Sequence, residues 1–103
     1  MIVPQYTTPT FVLTFTEDDL DLTTAVNVYI TFKTKENTVT KTGEDLTIAE
    51  KSIEVELSQD ETGLMGMGNM LIQVNWTTPD GKRFASEIAT YSIGKQLLQK
   101  VIT

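Results

Sequence analysis

The chain contains no cysteine and no histidine. The first absence excludes disulfides and thiolate metal sites. The second removes the commonest general base and the commonest metal ligand. No apolar run approaches the roughly 20 residues needed to cross a bilayer. The opening MIVPQYTTPT has neither a basic region nor a long apolar core, so it does not read as a secretory signal and we expect manufacture in the cytoplasm. Positive charge is also scarce, with 8 Lys and Arg against 14 Asp and Glu and a formal net charge of −6. Binding to a phosphate backbone calls for a basic patch, so nucleic acid is not an expected partner.

What is present is threonine, 18 of 103 residues. Thr is β-branched and suits pleated, half-exposed surfaces. The length fits one domain, residues 1–103, with a single core. Its centre is the stretch from Asn69 to Ile93. Met70, Ile72, Val74 and Trp76 alternate with Gln73, Asn75 and Thr77, the period of a half-buried strand. Pro79-Asp80-Gly81 supplies a turn, because Pro presets its backbone angle and Asp-Gly tolerates positive φ. In the returning strand the phase changes. Phe84, Ser86 and Ile88 share one face, whereas Ala89, Tyr91 and Ile93 share the other, which predicts a β-bulge near Ile88–Ala89.

The remaining alternations predict further strands at Thr10–Thr16 (Phe11, Leu13, Phe15 on one face), Val26–Lys33 (Val26, Val28, Ile30, Phe32), Thr38–Thr42, Leu46–Ile48 and Ile53–Leu57. The acidic run Glu17–Asp21 reads as a loop or a helical turn that Thr16 would cap, with Asp18 and Asp19 near its N-terminus. Ser58 and Glu61 have capping-box spacing, and Gly63 should close a one-turn helix near 58–63. The methionines of Leu64–Gly68 read either as core plugs or as an exposed apolar loop. About seven short strands with turn signals between them predict an all-β, antiparallel β-sandwich.

The two ends differ from the body. Pro4 and Pro9 mark residues 1–9 as an extended arm or edge strand, since Pro cannot donate to a ladder. Residues 95–103 carry helix-like spacing at Leu97, Leu98, Val101 and Ile102, but nine residues are too few for a stable helix alone. This helical or extended tail must dock on its own subunit or a neighbour. Pro4, Tyr6, Pro9, Leu97, Leu98, Val101 and Ile102 are therefore the expected assembly contacts.

No chemistry-bearing motif survives scrutiny. Glu17–Asp21 lacks the spacing of a calcium loop and reads as a solvated loop. Asp60 and Glu61 are explained by the cap. Gly63, Gly66 and Gly68 lack the Lys-Ser/Thr ending of a phosphate loop. We therefore expect no catalytic, cofactor or metal residues, and no enzyme. Trp76 reads as a core aromatic rather than a sugar platform. If a glycan is bound, Tyr6, Tyr29 and Tyr91 are the candidate aromatics.

Several segments carry a resemblance: I-V-P-Q-x-T-T-P-T-F at the start, L-S-Q-D-E-T at Leu57–Thr62, I-Q-V-N from Ile72, D-G-K-R-F-A-S-E-I from Asp80, and S-I-G-K ending at Lys95. Together they resemble small tail-region proteins of phages and prophages of Firmicutes. More distantly they are similar to the immunoglobulin-like N-terminal domain of the phage baseplate upper protein. The resemblance implies an immunoglobulin-like sandwich and a non-enzymatic virion component, made in the bacterial host and assembled with itself or with other phage structural proteins. It implies no cofactor. The alternative is a carbohydrate-binding adhesion module of a phage particle.

Overall fold

The computed structural model describes residues 2–17 and 20–102. Its strands are β1 (Ile2–Pro4), β2 (Thr10–Thr14), β3 (Asn27–Lys33), β4 (Thr38–Thr42), β5 (Leu46–Ile48), β6 (Ser52–Glu56), β7 (Gly68–Thr77), β8 (Arg83–Ala85) and β9 (Ala89–Gly94), with one helix, α1 (Gln59–Met65). Short 3-10 turns occupy Leu22–Thr24 and Gly43–Asp45. One sheet has the order β1–β9–β7–β3–β4, with β8 also against β7, and the other has the order β2–β6–β5. From β2 to β9 the chain thus fills the B, C, C′, D, E, F and G positions of a variable-type immunoglobulin sandwich, with β8 and β9 sharing the last. This strand order makes the fold an immunoglobulin-like β-sandwich.

Two features of the expected sandwich need correction. There are nine strands among the described residues rather than about seven, because a three-residue edge strand opens the chain and the last strand is split in two. The pairing is also not wholly antiparallel. β1 lies parallel to β9, with Ile2 opposite Ser92 and Pro4 opposite Gly94, and the Gln5 N–H extends the ladder to the Gly94 carbonyl at 3.0 Å. Alternation reports which face a residue takes and carries no strand direction, so the sequence was silent here.

The core follows the alternation closely. Met70, Ile72, Val74 and Trp76 of β7 are all buried, as are Val28, Ile30 and Phe32 of β3 and Ile53 and Val55 of β6. Each such side chain contributes about 1.5–3 kcal/mol by leaving water. Phe11 packs against Phe32 at 5.5 Å and edge-on to Tyr91 at 5.3 Å, joining the two sheets. Val26 departs from its expected place in the core. It precedes β3, and although its N–H reaches the Thr77 carbonyl at 2.9 Å, its side chain is exposed at the end of the sandwich.

The bulge is real. Asn75 faces Ala85 and Ile72 faces Ala89, so Gln73–Val74 stand opposite the longer stretch Ser86–Ile88. Ser86 holds this junction: its N–H donates to the Val74 carbonyl at 2.8 Å and its Oγ accepts from the Val74 N–H at 2.9 Å. The extra residue therefore falls at Glu87–Ile88, just before the expected Ile88–Ala89. It turns Ala89, Tyr91 and Ile93 toward the core.

Other local signals were read correctly in kind and displaced in extent. Ser58 and Glu61 form the capping box, with Ser58 Oγ accepting from the Glu61 N–H at 3.2 Å and Glu61 Oε1 accepting from the Ser58 N–H at 2.8 Å. The helix runs past Gly63 to Met65, and Gly66, with φ of 73°, is the residue that stops it. Met65 is a core plug and Met67 is exposed, so the two methionine readings apply one to each. A 3-10 turn at Leu22–Thr24 follows the acidic run and is capped by Asp21, which accepts from the Thr23 N–H at 3.0 Å, whereas the turn expected under Thr16 falls on residues that are not described. Asp18 and Asp19 lie outside the described residues. Of the helical and extended alternatives for the tail, residues 95–102 form no helix and no strand, and the chain bends there.

Candidate functional site

The arm and the tail converge on one short segment, Leu57–Gly63. The Pro9 carbonyl accepts from the Leu57 N–H at 3.0 Å. The fully buried Thr62 donates its Oγ1 hydrogen to the Thr7 carbonyl at 2.8 Å. Tyr6 has φ of 57°, a conformation rare for a bulky residue. This backbone kink lays its ring against Gly63 so closely that a Cβ there would overlap the ring. Gln59 grips the tail, its Oε1 accepting from the Ile102 N–H at 2.8 Å and its Nε2 donating to the Ile102 carbonyl at 3.1 Å.

Of the expected assembly contacts, the structure therefore ties Tyr6 and Pro9 to their own domain, both half-buried, while Pro4 stays exposed on the edge strand β1. Leu97 is 97% exposed, and Leu98 and Ile102 are exposed as well, with Val101 half-buried. Among the described residues a reciprocal amide contact with Gln59 holds the tail, and Leu97, Leu98 and Ile102 are presented outward. Nothing in the composition of Leu57–Gly63 marked it as the common anchor; the capping box alone hinted at an ordered element there.

The Glu61 carboxyl is perturbed. Burial opposes its ionisation, but hydrogen bonds from Lys41 and the Ser58 N–H, together with the Lys41 charge, outweigh that and hold it below the ordinary glutamate value. Lys41 Nζ lies 2.8 Å from Glu61 Oε2, linking β4 to α1.

A second feature lies at the opposite end of β2. Trp76 is buried, with Phe15 edge-on at 5.7 Å and Phe84 stacked nearly parallel at 5.9 Å. Two hollows adjoin this aromatic row. One, of about 410 Å³, runs between the edge of β2 and Ala85–Glu87 and reaches the core residues Ile72, Val74 and Trp76. The other, of about 430 Å³, lies among Leu20, Asp21, Ala25, Trp76 and Phe84. Both are lined in part by Glu17, Trp76 and Ala85, so the two hollows are neighbours. Lys51 supports their rim, with Nζ donating to the carbonyls of Glu17 and Leu20. The hollows were missed from sequence because Phe84 and Phe15 read as ordinary strand positions.

The tyrosines are dispersed. Tyr91 packs on Phe11 and Tyr6 on Gly63. Tyr29 is half-exposed on the outer face of its sheet, in a shallow hollow with Asn75, Thr77 and Arg83. Among the described residues no three acidic side chains are placed to hold a metal ion, and no helix is long and apolar enough to cross a membrane.

No family model and no curated protein matches the chain. Among solved structures, murine CRIg matches over 93% of this chain and 91% of its own, with 12% identity and a TM-score of 0.44. The class of protein is given by the strand order described above: an immunoglobulin-like sandwich.

Proposed function

We propose that this chain is a non-enzymatic structural protein of a phage particle, a tail or baseplate component that works through protein–protein assembly. The observation that carries the reading is the C-terminal tail, which exposes Leu97, Leu98 and Ile102 and is tied to the domain by Gln59. Exposed apolar side chains gathered on a short terminal segment favour a contact with a neighbouring subunit. The phage-like motifs support the same reading. The protein would be made in the bacterial host and carried in the particle, with itself or another phage structural protein as partner.

The test is solution mass by light scattering over a hundredfold concentration range, with the intact chain beside one ending at Gly94. The shortened chain keeps the β1–β9 ladder, because Gly94 is its last rung. A defined oligomer that dissociates on truncation is the expected result. A monomer in both cases, with no mixed complex on adding other particle proteins, would overturn the proposal.

A second reading, a carbohydrate-binding adhesion module, draws on the exposed Phe84 ring beside Glu17 and Asp21, since aromatic rings and carboxylates are what sugar rings and hydroxyls pair with. Its test is a glycan array with the parent and Phe84→Ala. Silence of the parent would end it.

A further inference from the structure

We propose that the open edge of β2, with the groove beside it, is an acceptor for an added β-strand: an extended polypeptide segment with apolar side chains at alternate positions and lysine or arginine at the others. The inference concerns a surface distinct from the C-terminal tail and does not depend on the phage reading.

Four observations meet at this edge. First, the outward backbone groups of β2 have no strand partner among the described residues. Residues on either side of β2 fix the hydrogen-bond phase: the Pro9 carbonyl accepts from Leu57 and the Phe15 N–H donates to Lys51. Phe11 and Leu13 are in the same phase and bond to β6, so the N–H and C=O groups of Thr10, Val12 and Thr14 point away from it. β2 ends its sheet, and no strand among the described residues lies beyond it.

Second, the edge lacks two of the usual guards. Thr10–Thr16 contains no proline and no charge, whereas natural edges are commonly blunted by one or the other. β1, the first edge of the other sheet, has its proline at Pro4.

Third, the sandwich is open here. The groove of about 410 Å³ beside β2 is lined by Leu13, Phe15, Ile72, Val74 and Trp76, all core-facing residues. Val12, at 59% exposure, lines it as well. A strand paired to β2 would place its alternate side chains over this groove, opposite Phe11, Leu13 and Phe15, and close the seam.

Fourth, the charge around the edge selects the other side chains. Val12 pairs with Glu54 and Thr10 with Glu56, so a row of exposed carboxylates runs one strand inward on the outer face. Glu17 and Glu87 line the groove. A residue opposite Val12 on the added strand would sit two strand spacings from Glu54, about 10 Å. A lysine there covers Val12 with its stem and brings its ammonium toward Glu54. The same carboxylates disfavour a second copy of this sheet at that position, because two acidic faces would be joined edge to edge.

The probe is a seven-residue peptide of alternating lysine and valine, capped at both ends, beside one with glutamate for every lysine. Binding is followed by amide exchange and chemical-shift changes in the intact protein. The expected result is slowed exchange at Thr10, Val12 and Thr14, with Phe11 and Leu13 protected in both states. The glutamate peptide should bind weaker on the order of tenfold or more. Val12→Pro removes an N–H that β6 does not use, so it should keep the fold and lose the peptide. Val12→Lys, which leaves the backbone intact, should also weaken the lysine peptide. Equal binding of the two peptides, protection elsewhere than on β2, full binding by Val12→Lys, or no binding at millimolar peptide would each overturn the proposal.

Discussion

Gly63 and Tyr6 offer a test in which the sign of an effect depends on the structure. Gly63 lies inside α1, and replacing a helical glycine by alanine ordinarily gains about 0.8–1 kcal/mol. Here the new methyl group would overlap the Tyr6 ring. Relieving such overpacking typically costs about 1–3 kcal/mol. Gly63→Ala alone should therefore be neutral to destabilising, by up to about 2 kcal/mol. In a Tyr6→Gly background the ring is gone, and glycine accepts the positive φ of 57° at that position without strain. There the same substitution should stabilise by about 1 kcal/mol. The coupling between the two sites is thus expected at about 1–3 kcal/mol. Urea titration followed by Trp76 fluorescence on the four proteins of the cycle measures it. If Gly63→Ala changes stability by the same amount in both backgrounds, Tyr6 does not rest on α1. Its ring would then be free for the intersubunit contact that its sequence position suggested.

Two further outcomes are expected. Thr34 is buried, its Oγ1 donating to the Met65 carbonyl at 2.6 Å and accepting from the Asn37 N–H at 3.2 Å; Thr34→Val keeps the shape but strands both groups, and should lower stability in urea by about 1–3 kcal/mol. Glu61, held below its ordinary value in the folded protein, stabilises the fold above the unfolded-state pKa, and that contribution is lost as pH falls through the lower folded-state value. Lys41→Met removes a cause of the depression, so parent and variant should differ in urea midpoint at neutral pH and converge in acid; a gap that persists in acid would assign the Lys41 effect to packing.

The sandwich was legible in the sequence because burial on one face of a strand is a local, period-two property. Phe11, Val28, Ile30, Phe32, Ile53, Val55 and the Met70–Trp76 row all lie where their alternation put them. The capping box was equally local, three residues from donor to acceptor. The phase change between Phe84 and Ala89 even announced the bulge, because an extra residue flips every following side chain. Helix length was less visible: Gly63 looked like a stop because nothing in the sequence says that Tyr6 will occupy the space where a larger side chain would go. The spacing of the tail left helix and extended chain both open for a related reason, since a short amphipathic segment adopts a helix only when a surface is there to bury its stripe.

Pairing and its consequences belonged to the tertiary structure. The sequence by itself determined which residues turn inward and where the chain must turn, since those depend on neighbours a few positions away. Strand order, the parallel β1–β9 contact, the meeting of arm and tail on Leu57–Gly63, and the seam beside β2 join residues tens of positions apart. Each depends on long-range loop closure and on which edges are left over once the core has closed, and no local pattern records that.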